Sequence, residues 1–309
     1  MGDGPQIALV LHPRRDPGRV LDAIGSWATS HGSRLLIRTA DAARWAGDAT
    51  IVSDDELADR ADAVVSLGGD GTMLGALRLV ARRPVPVLGV NLGNVGFLVE
   101  VEPAELPDAL DQLEREDYTI EAHSALWLGA DGDEAVAFND LALVRVPGDG
   151  VVEATLAVGG QRMGRFRCDG LVISTAIGST AYAYSAGGPV VSPALDAVVV
   201  AALAPMAGIS RPMVTAADET IRLMLEDGGG CPAIEADGTM LRRTEPGETL
   251  DVRLKIGCGQ VVRLDTDRYQ RRNQVKLSLL DLPFLPDELR ELAGDTQLTK
   301  SIPPAPRAG

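Results

Sequence analysis

The segment that most limits the possible folds is a glycine-rich loop, Gly68–Thr72, with the sequence GGDGT. The apolar run Ala63–Leu67 before it predicts a buried strand, and Met73–Arg82 after it has helical spacing. Glycine permits positive φ angles and lets a ligand approach the bare backbone. A helix that begins after such a loop offers unpaired N–H groups at its positive end. The sequence therefore predicts a strand, an anion-binding loop and a helix, with Thr72 as the helix N-cap.

One carboxylate, Asp70, stands inside this loop. A negative charge beside a bound phosphate is unfavourable unless the carboxylate accepts a proton or contacts a metal ion. Asp70 is therefore interpreted as a general base or a Mg²⁺ contact. The alternative is a surface turn, in which aspartate suits the left-handed conformation. The loop is neither the phosphate-binding loop with Gly-Lys-Thr nor the dinucleotide glycine fingerprint.

Strand and helix patterns alternate through the first 120 residues or so. The predicted strands are Ile7–Leu11, Arg34–Arg38, Ala63–Leu67 and Val85–Val90, and the predicted helices are Arg19–Ser30, Asp54–Arg60 with Ser53 as its cap, Met73–Arg82 and Glu105–Glu114. This alternation is typical of a parallel α/β sheet and predicts a Rossmann-like domain over residues 1–120. The segment Asn91–Leu98 follows the fourth strand as the glycine-rich loop follows the third. We expect both at one ligand-binding edge, because ligand loops lie beyond the carboxyl ends of parallel strands.

From about residue 121 the pattern changes to short β-type runs separated by glycine turns. These runs are Ala125–Leu128, Val136–Val146, Val151–Val158, Gln161–Cys168, Gly170–Ser174, Thr220–Leu225 and Leu250–Leu254. They predict a β-rich C-terminal domain over residues 121–270, followed by a C-terminal segment and tail over residues 271–309. The predicted fold class is therefore α/β, with a parallel α/β domain followed by a β-rich one.

Two polar motifs interrupt the β-rich half. The stretch Asp169–Pro189 concentrates small and hydroxyl residues after a strand, which favours a ligand pocket, with a turn-rich loop as the alternative. Asn139 and Asp140 interrupt an apolar run, which indicates a bulge or a strand end, or else a ligand contact. A serine nucleophile is not expected, because the Gly-x-Ser-x-Gly elbow does not occur in this stretch.

The charge and the composition limit the partners. The net charge of −15 argues against nucleic acid or an anionic membrane as the partner, since both require a basic surface. The three cysteines and three histidines are scattered without the spacing of metal ligands or a disulfide framework. There is no signal-peptide pattern, and the longest apolar stretch falls far short of the ~20 residues of a membrane span. A cytoplasmic protein is expected.

Taken together, the motifs resemble those of the NAD kinase family. The matching segments are Gly68–Thr72, Asn91–Leu98, Asn139-Asp140, Asp169–Pro189, Arg211-Pro212 and Asp237-Gly238. The GGDGT loop alone is weakly specific, since lipid kinases and phosphofructokinases carry a similar one. The long stretch Asp169–Pro189, with GSTAY and SAGGP, is highly specific, and the resemblance runs from about residue 6 to about residue 275.

The resemblance implies an enzyme that phosphorylates the 2′-hydroxyl of the adenosine ribose of NAD and so produces NADP. The implied phosphoryl donor is ATP or polyphosphate, with Mg²⁺ or another divalent metal. The family's fold places NAD in a cleft between an α/β domain and a β-rich domain. Its members are homodimers or homotetramers in which a neighbouring subunit helps to complete the site.

The resemblance also implies roles for single positions. Asp70 would accept the proton of the 2′-hydroxyl or orient that hydroxyl, and Phe97 would lie against the adenine end of NAD. Asn139 and Asp140 would hydrogen-bond the ribose hydroxyls. Asp169 would meet the nicotinamide half, across a subunit interface. The phosphate-facing loop would comprise Gly68, Gly69, Gly71 and Thr72, and the adenine and ribose pocket would comprise Thr180, Ala181, Tyr182 and Ser185.

The chain departs from the family's usual pattern at three places. Ile177 stands where a hydroxyl of Thr-Pro-Thr-Gly is usual, Asn94-Val95 replaces a basic residue and leucine, and Pro205–Ser210 lacks the usual histidine. These departures leave open a kinase with the same phosphate loop but another acceptor. A non-catalytic dinucleotide-binding protein is the third interpretation. Asp70 weighs against it, because a pure binder needs no base.

Overall fold

The computed structural model describes residues 4–93, 98–129 and 135–265. The chain divides into two compact units: unit 1 comprises Met1–Glu121 and Gln260–Gly309, and unit 2 comprises Ala122–Gly259. The chain thus returns to unit 1 at Gln260, ten residues before the boundary expected from the sequence. The expected C-terminal segment and tail, residues 271–309, lie outside the described residues.

Unit 1 alternates strands and helices. Its elements are β1 Gln6–Leu11, α1 Arg19–His31, β2 Arg34–Arg38, β3 Thr50–Val52, α2 Asp54–Arg60, β4 Ala63–Gly68, α3 Asp70–Val80, β5 Pro86–Asn91 and α4 Leu106–Glu114. The strands pair in parallel in the order β5-β4-β1-β2-β3, which confirms the predicted parallel α/β sheet. All six residues of β4 are buried, as expected for a strand covered on both faces.

Local chemistry fixes the ends of these elements. Helix α2 begins at a capping box, because the Ser53 hydroxyl accepts the Glu56 N–H at 3.2 Å and the Glu56 carboxylate accepts the Ser53 N–H at 2.9 Å. The predicted Ser53 cap is therefore confirmed. Helix α1 ends at Gly32, whose φ of 69° is the left-handed conformation typical of a glycine C-cap.

Unit 2 is built almost entirely from strands, and β6 and β18 carry the chain into and out of it. Its elements are β6 Thr119–Leu128, β7 Ala135–Ala137, β8 Asp140–Val144, β9 Val152–Val158, β10 Gln161–Cys168, β11 Gly170–Thr175, α5 Tyr182–Ser185, β12 Ala197–Leu203, β13 Ala207–Gly208, β14 Met213–Ala216, β15 Ile221–Leu225, β16 Ala233–Ala236, β17 Thr239–Arg243 and β18 Thr249–Arg263. The prediction of a β-rich second half is confirmed.

The strands of unit 2 form two layers. One has the order β13-β10-β9-β15-β18, with β6 and β7 beyond β18, and the other has the order β14-β12-β11-β8-β16-β17. Their facing side chains make one apolar core, which includes Leu156 and Leu223 from the first layer and Ile173 and Val200 from the second. Alternating burial along β15 shows the one-sided pattern of an antiparallel sandwich strand.

The predicted strand Val136–Val146 is wrong as one element, because it divides into β7 and β8 with a break at Phe138 and Asn139. A strand end is one of the two structural outcomes that the adjacent polar residues indicated. No helix in the described parts of the chain is long and apolar enough to cross a bilayer.

Candidate active site

The glycine-rich loop lies at the junction of β4 and α3. Helix α3 begins at Asp70, three residues before the predicted start, and its N-cap is Gly69 in an extended conformation. The prediction that Thr72 is the N-cap is wrong, because Thr72 already belongs to the first turn and its N–H donates to the Gly69 carbonyl. The cap glycine carries no side chain that could occupy the N–H end of the helix. A ligand can therefore approach this end directly.

Side-chain volume explains the other positions of the loop. A Cβ atom at Gly68 would overlap the Thr72 side chain, so these two positions are packed against each other. Cβ atoms at Gly69 and Gly71 would meet nothing within 4 Å, so the first turn of α3 borders open space. The Thr72 hydroxyl is buried and has no hydrogen-bond partner within the described part of the chain.

The Asp70 carboxylate joins the glycine-rich loop to the segment that follows β5. Asp70 Oδ1 accepts the backbone N–H of Leu98 at 2.8 Å, and the Leu92 N–H donates to the Gly68 carbonyl at 3.0 Å. The two segments thus meet at the carboxyl edge of the sheet, as the parallel topology predicts. Asp70 is half-buried and held in one orientation at the positive end of a helix.

A third loop at this edge, residues 12–16, was not singled out from the sequence and is called the Arg15 loop. His12 Nδ1 accepts the N–H groups of Arg14 and Arg15 at 3.1 and 2.9 Å. The Arg44 guanidinium donates to the His12 carbonyl at 2.6 Å and to the Arg15 carbonyl. Burial and the three neighbouring arginines lower the pKa of His12, which favours the neutral ring that accepts these bonds.

The Arg15 side chain points across the same edge. A Cβ at Gly93 would overlap its guanidinium, and the His12 N–H donates to the Leu67 carbonyl at 2.8 Å, directly before the glycine-rich loop. The half-buried Arg15 guanidinium has no hydrogen bond or ion pair with the residues that the structure describes. In a chain with a net charge of −15, such a cation indicates an anionic ligand. Histidine and arginine directly after a buried strand are the signal that could have identified this loop.

In unit 2, the predicted ligand pair Asn139 and Asp140 lies at the break between β7 and β8. The Thr175 N–H donates to the Asn139 carbonyl at 2.9 Å, and the Thr175 hydroxyl donates to the Phe138 carbonyl at 2.8 Å. The same hydroxyl oxygen accepts the Gly178 N–H at 3.0 Å. A single threonine at the end of β11 therefore connects the strand break to the turn that follows β11.

That turn brings several predicted pocket residues to the same place. A 3₁₀ turn over Ile177–Thr180 leads into α5, and a Cβ at Gly178 would overlap the Asn139 carbonyl. Asp140 Oδ2 accepts the Tyr182 N–H at 3.4 Å. The residues that the structure gathers here are Asn139, Asp140, Thr180, Ala181, Tyr182 and Ser185.

Asp140 is in an unusual electrostatic environment for an aspartate. It is only 4% exposed, and its neighbours include the carboxylates of Asp237 and Glu235. Burial and the charge of Asp237 raise the pKa of Asp140 to about 6; Glu235 raises it further, while the Tyr182 N–H lowers it. Asp140 therefore exchanges its proton close to neutral pH, which is frequent at functional sites.

Asp169 is not brought together with these residues. It precedes β11, whereas the Asn139 and Thr175 contacts lie at the opposite end of that strand, about 20 Å away at ~3.3 Å per residue. Its carboxylate pairs with Arg145 Nε at 2.9 Å. Its predicted contact with the nicotinamide half of NAD stays a prediction. Phe97, like Asn94 and Val95, lies outside the described residues.

The chemistry of the carboxylates bears on the implied divalent metal. Among the described residues, no three His, Cys, Asp or Glu side chains cluster as a metal site. Mg²⁺ in phosphoryl-transfer sites is commonly bound by one or two carboxylates together with the substrate's phosphates. Asp70, a single carboxylate beside an open helix N-terminus, fits a metal of that kind.

Comparison with known proteins defines the class of the chain. Residues 28–118 match the model of the ATP-NAD kinase N-terminal domain, and residues 138–255 match that of the ATP-NAD kinase C-terminal domain. Both describe the domains of a kinase. An NAD kinase from Rhodococcus erythropolis is 33% identical over 90% of this chain and 95% of its own length. An NAD kinase from Mycobacterium tuberculosis is 36% identical over 71% of this chain and 75% of its own length. The chain belongs to the NAD kinase family.

Solved structures agree with the fold. An NAD kinase from Archaeoglobus fulgidus in complex with ATP superposes with a TM-score of 0.68 and 25% identity, over 88% of this chain and 98% of its own. Yeast NADH kinase complexed with NADH superposes with a TM-score of 0.77 over 92% of this chain and 90% of its own. At 20% identity, this second likeness supports the fold alone.

Proposed function

We propose that the chain transfers a phosphoryl group to the 2′-hydroxyl of the adenosine ribose of NAD and so produces NADP. The observation that carries this proposal is the Asp70 carboxylate, oriented by the Leu98 N–H at the start of α3. The relatives named NAD kinase and the solved structure with ATP support it. The proposed donor is ATP, and polyphosphate is the alternative donor.

Asp70 is proposed to accept the proton of the 2′-hydroxyl. In the transfer, the ribose oxygen bonds to the terminal phosphorus of the donor. The bond from that phosphorus to the bridging oxygen breaks, and the shortened donor leaves with the electron pair. A ribose hydroxyl is a weak nucleophile at neutral pH, so a carboxylate that accepts its proton during bond formation lowers the barrier. The Leu98 N–H fixes the direction of that carboxylate.

The donor phosphates are proposed to bind at the edge that holds the Asp70 carboxylate. The N–H end of α3 borders open space at Gly69 and Gly71, which suits an anion. Arg15 supplies a guanidinium that no described residue neutralises. Positioning and charge neutralisation account for most of the catalysis of phosphoryl transfer, so these groups are the ones that the reaction requires. A divalent metal held by Asp70 and the phosphates would supply further neutralisation of the phosphate charge.

The dinucleotide is proposed to bind at the Asn139–Asp140 pair and the adjoining turn. An amide and a carboxylate present both donors and acceptors, which suits the two hydroxyls of a ribose. Thr180, Ala181, Tyr182 and Ser185 are proposed to line the adenine and ribose pocket, and Asp169 to meet the nicotinamide half. Assembly as a homodimer or homotetramer, and the cytoplasm as its compartment, stay predictions.

A coupled assay tests the function and identifies the donor. The full chain is incubated with NAD and Mg²⁺ together with ATP or polyphosphate, and NADP is detected with an NADP-specific dehydrogenase. NADP formation with one donor confirms the proposal and names that donor. A folded chain that binds NAD but makes no NADP with either donor overturns it. In that case Ile177, half-buried on the 3₁₀ turn, is the position at which an altered acceptor would first be sought.

A further inference from the structure

Asp237 has a backbone conformation and a set of contacts that no role has yet explained. It lies in the turn between β16 and β17 with a φ of 47°, a left-handed conformation that aspartate and asparagine adopt more readily than most residues. Its carboxylate points back to the break between β7 and β8, 98 positions earlier in the chain.

The carboxylate accepts three consecutive backbone N–H groups. Asp237 Oδ1 accepts those of Asn139 at 2.7 Å and Asp140 at 3.2 Å, and Oδ2 accepts that of Phe138 at 3.2 Å. In return, the Asp237 N–H donates to the Asp140 carbonyl at 2.9 Å. N–H groups at a strand break would otherwise lose their partners, so this carboxylate defines the backbone path there.

The opposite side of the same segment is held as well. Thr175 binds the carbonyls of Phe138 and Asn139, as described above, and Asp237 binds the N–H groups. The backbone that carries Asn139 and Asp140 is therefore fixed from two sides. The directions of these two side chains follow from that backbone.

We propose that Asp237 is a positioning residue for the dinucleotide site. It holds the Asn139–Asp140 pair in its binding geometry, and its charge acts on the neighbouring Asp140 carboxylate. This inference rests on the proposed function, because it assigns the pair to the binding of NAD. A purely structural turn residue would be the simpler explanation. However, the single oxygen of a neutral asparagine could hold the Asn139 and Asp140 N–H groups without placing a second negative charge beside a buried carboxylate, so we assign a role to the charge itself.

The charge has a defined electrostatic effect. The titratable groups that face Asp140 are Asp237 and Glu235 from the β16–β17 hairpin and the Tyr182 phenol from α5. After burial, Asp237 is the strongest influence that raises the pKa of Asp140, and loss of its charge lowers that pKa. If ionised Asp140 is the form that accepts a ribose hydroxyl, NAD binding weakens in mild acid, and Asp237 sets the pH at which this happens.

Two substitutions separate the positioning role from the charge. Asp237→Asn keeps an acceptor oxygen for the Asn139 and Asp140 N–H groups and tolerates the left-handed φ, but it removes the charge and the weaker bond from the Phe138 N–H. We expect a nearly unchanged KM for NAD in mild alkali. In the pH profile of NAD binding, we expect the loss of affinity on the acid side to begin at a lower pH than in the wild type. Asp237→Ala removes both acceptor oxygens and with them all three hydrogen bonds, and we expect its KM for NAD to rise about tenfold or more at every pH, with the KM for the donor unchanged.

The control is another carboxylate that holds a turn in the same unit. Glu219 accepts the Ala216 N–H at 2.9 Å in the turn between β14 and β15, so Glu219→Ala removes a structural bond away from the pair. This variant is expected to lower the unfolding temperature without changing the KM for NAD or its pH profile. Calorimetric titration with NAD is run beside the kinetics, because it reports binding even when turnover is absent.

The outcomes are distinct. A folded Asp237→Ala chain with an unchanged affinity for NAD overturns the positioning role, and an Asp237→Asn chain that loses affinity on the acid side at the same pH as the wild type overturns the role of the charge. If the alanine variant does not fold, the pH profile of the asparagine variant decides whether Asp237 acts on the dinucleotide site. A wild-type chain that binds NAD without forming NADP overturns the proposed function and leaves the test of positioning by calorimetry intact.

Discussion

The carboxylates of Asp70 and Asp140 are both held by backbone N–H groups, but in opposite surroundings. Asp70 is half-buried in unit 1, at the N-terminus of an eleven-residue helix and beside open space. Asp140 is 4% exposed in unit 2, close to the Asp237 carboxylate, and its pKa is raised to about 6. A helix N-terminus favours a negative charge, whereas burial beside a second carboxylate opposes it.

The difference shows how two carboxylates can serve separate tasks, proton acceptance at Asp70 and recognition of hydroxyls at Asp140. A group that accepts a proton during the reaction must be accessible to substrate, and Asp70 lies beside open space at the start of α3. A group that recognises hydroxyls has to be fixed in direction, and the contacts around Asp140 provide this at a cost in electrostatic free energy. The variants below test this division, from the largest expected effect to the smallest.

Asp70→Asn is expected to have the largest effect. The amide cannot accept the hydroxyl proton, so kcat should fall by about 10²–10⁴-fold, while calorimetry shows an unchanged affinity for NAD. Asp55→Asn, in the exposed first turn of α2, removes the same charge from a helix start with no expected change in kcat. Full activity of Asp70→Asn would contradict the assignment of the base.

Gly178→Ala tests the backbone contacts of the dinucleotide site. The added methyl would overlap the Asn139 carbonyl, so the strand break must shift, and the KM for NAD should rise about tenfold with a loss of about 1–3 kcal/mol in stability. In Gly228→Ala the methyl meets nothing within 4 Å, so this variant is the control. Steady-state kinetics and urea unfolding of both variants measure the difference. Equal KM values would show that the Asn139 backbone does not govern NAD binding.

Arg15→Ala is expected to weaken donor binding alone. Loss of one guanidinium beside a phosphate should raise the KM for ATP or polyphosphate about tenfold, since charge-assisted hydrogen bonds contribute about 1.5–3 kcal/mol. The exposed Arg19 at the start of α1 offers Arg19→Ala as a control with the same change in charge. A changed KM for NAD together with an unchanged KM for the donor would show that Arg15 acts on NAD binding and not on donor binding.

Asp140→Asn is expected to increase stability while it impairs NAD binding. A carboxyl group whose pKa is raised from 3.8 to about 6 by folding destabilises the folded state by about 3 kcal/mol once both states are ionised. The penalty is absent below about pH 4, grows as the pH rises to about 6 and is complete above it. Urea unfolding should therefore show a gain of about 1–3 kcal/mol at pH 7 and little change at pH 4. A loss of stability at pH 7 would contradict the raised pKa.

The parts of the molecule that the sequence predicted are those whose signal is local. The elements of unit 1 other than the short strand Thr50–Val52 follow from apolar periodicity, and the Ser53 cap and the Asp70 loop follow from residues adjacent in the chain. The apolar run that contains the strand Ala197–Leu203 has a strand-like character in the sequence, but its bounds were not predicted, because a run buried on both faces carries no alternation. Arg15 was not identified, and Asp237 was quoted only within a matching motif without a role, because their contacts are with residues far away in the chain, such as Gly93 for Arg15 and Asn139 for Asp237.

The hydrogen bonds that fix the backbone of residues 138–140 from two sides have a consequence for how the specificity of this binding site can change. Thr175 and Asp237 form hydrogen bonds with the main chain of residues 138–140 and not with the side chains at positions 139 and 140. The backbone path is therefore set mainly by residues other than 139 and 140, although the Asp140 carboxylate also accepts the Tyr182 N–H. New side chains at position 139 can therefore be tested for the binding of other hydroxylated acceptors while the backbone beneath them keeps its contacts.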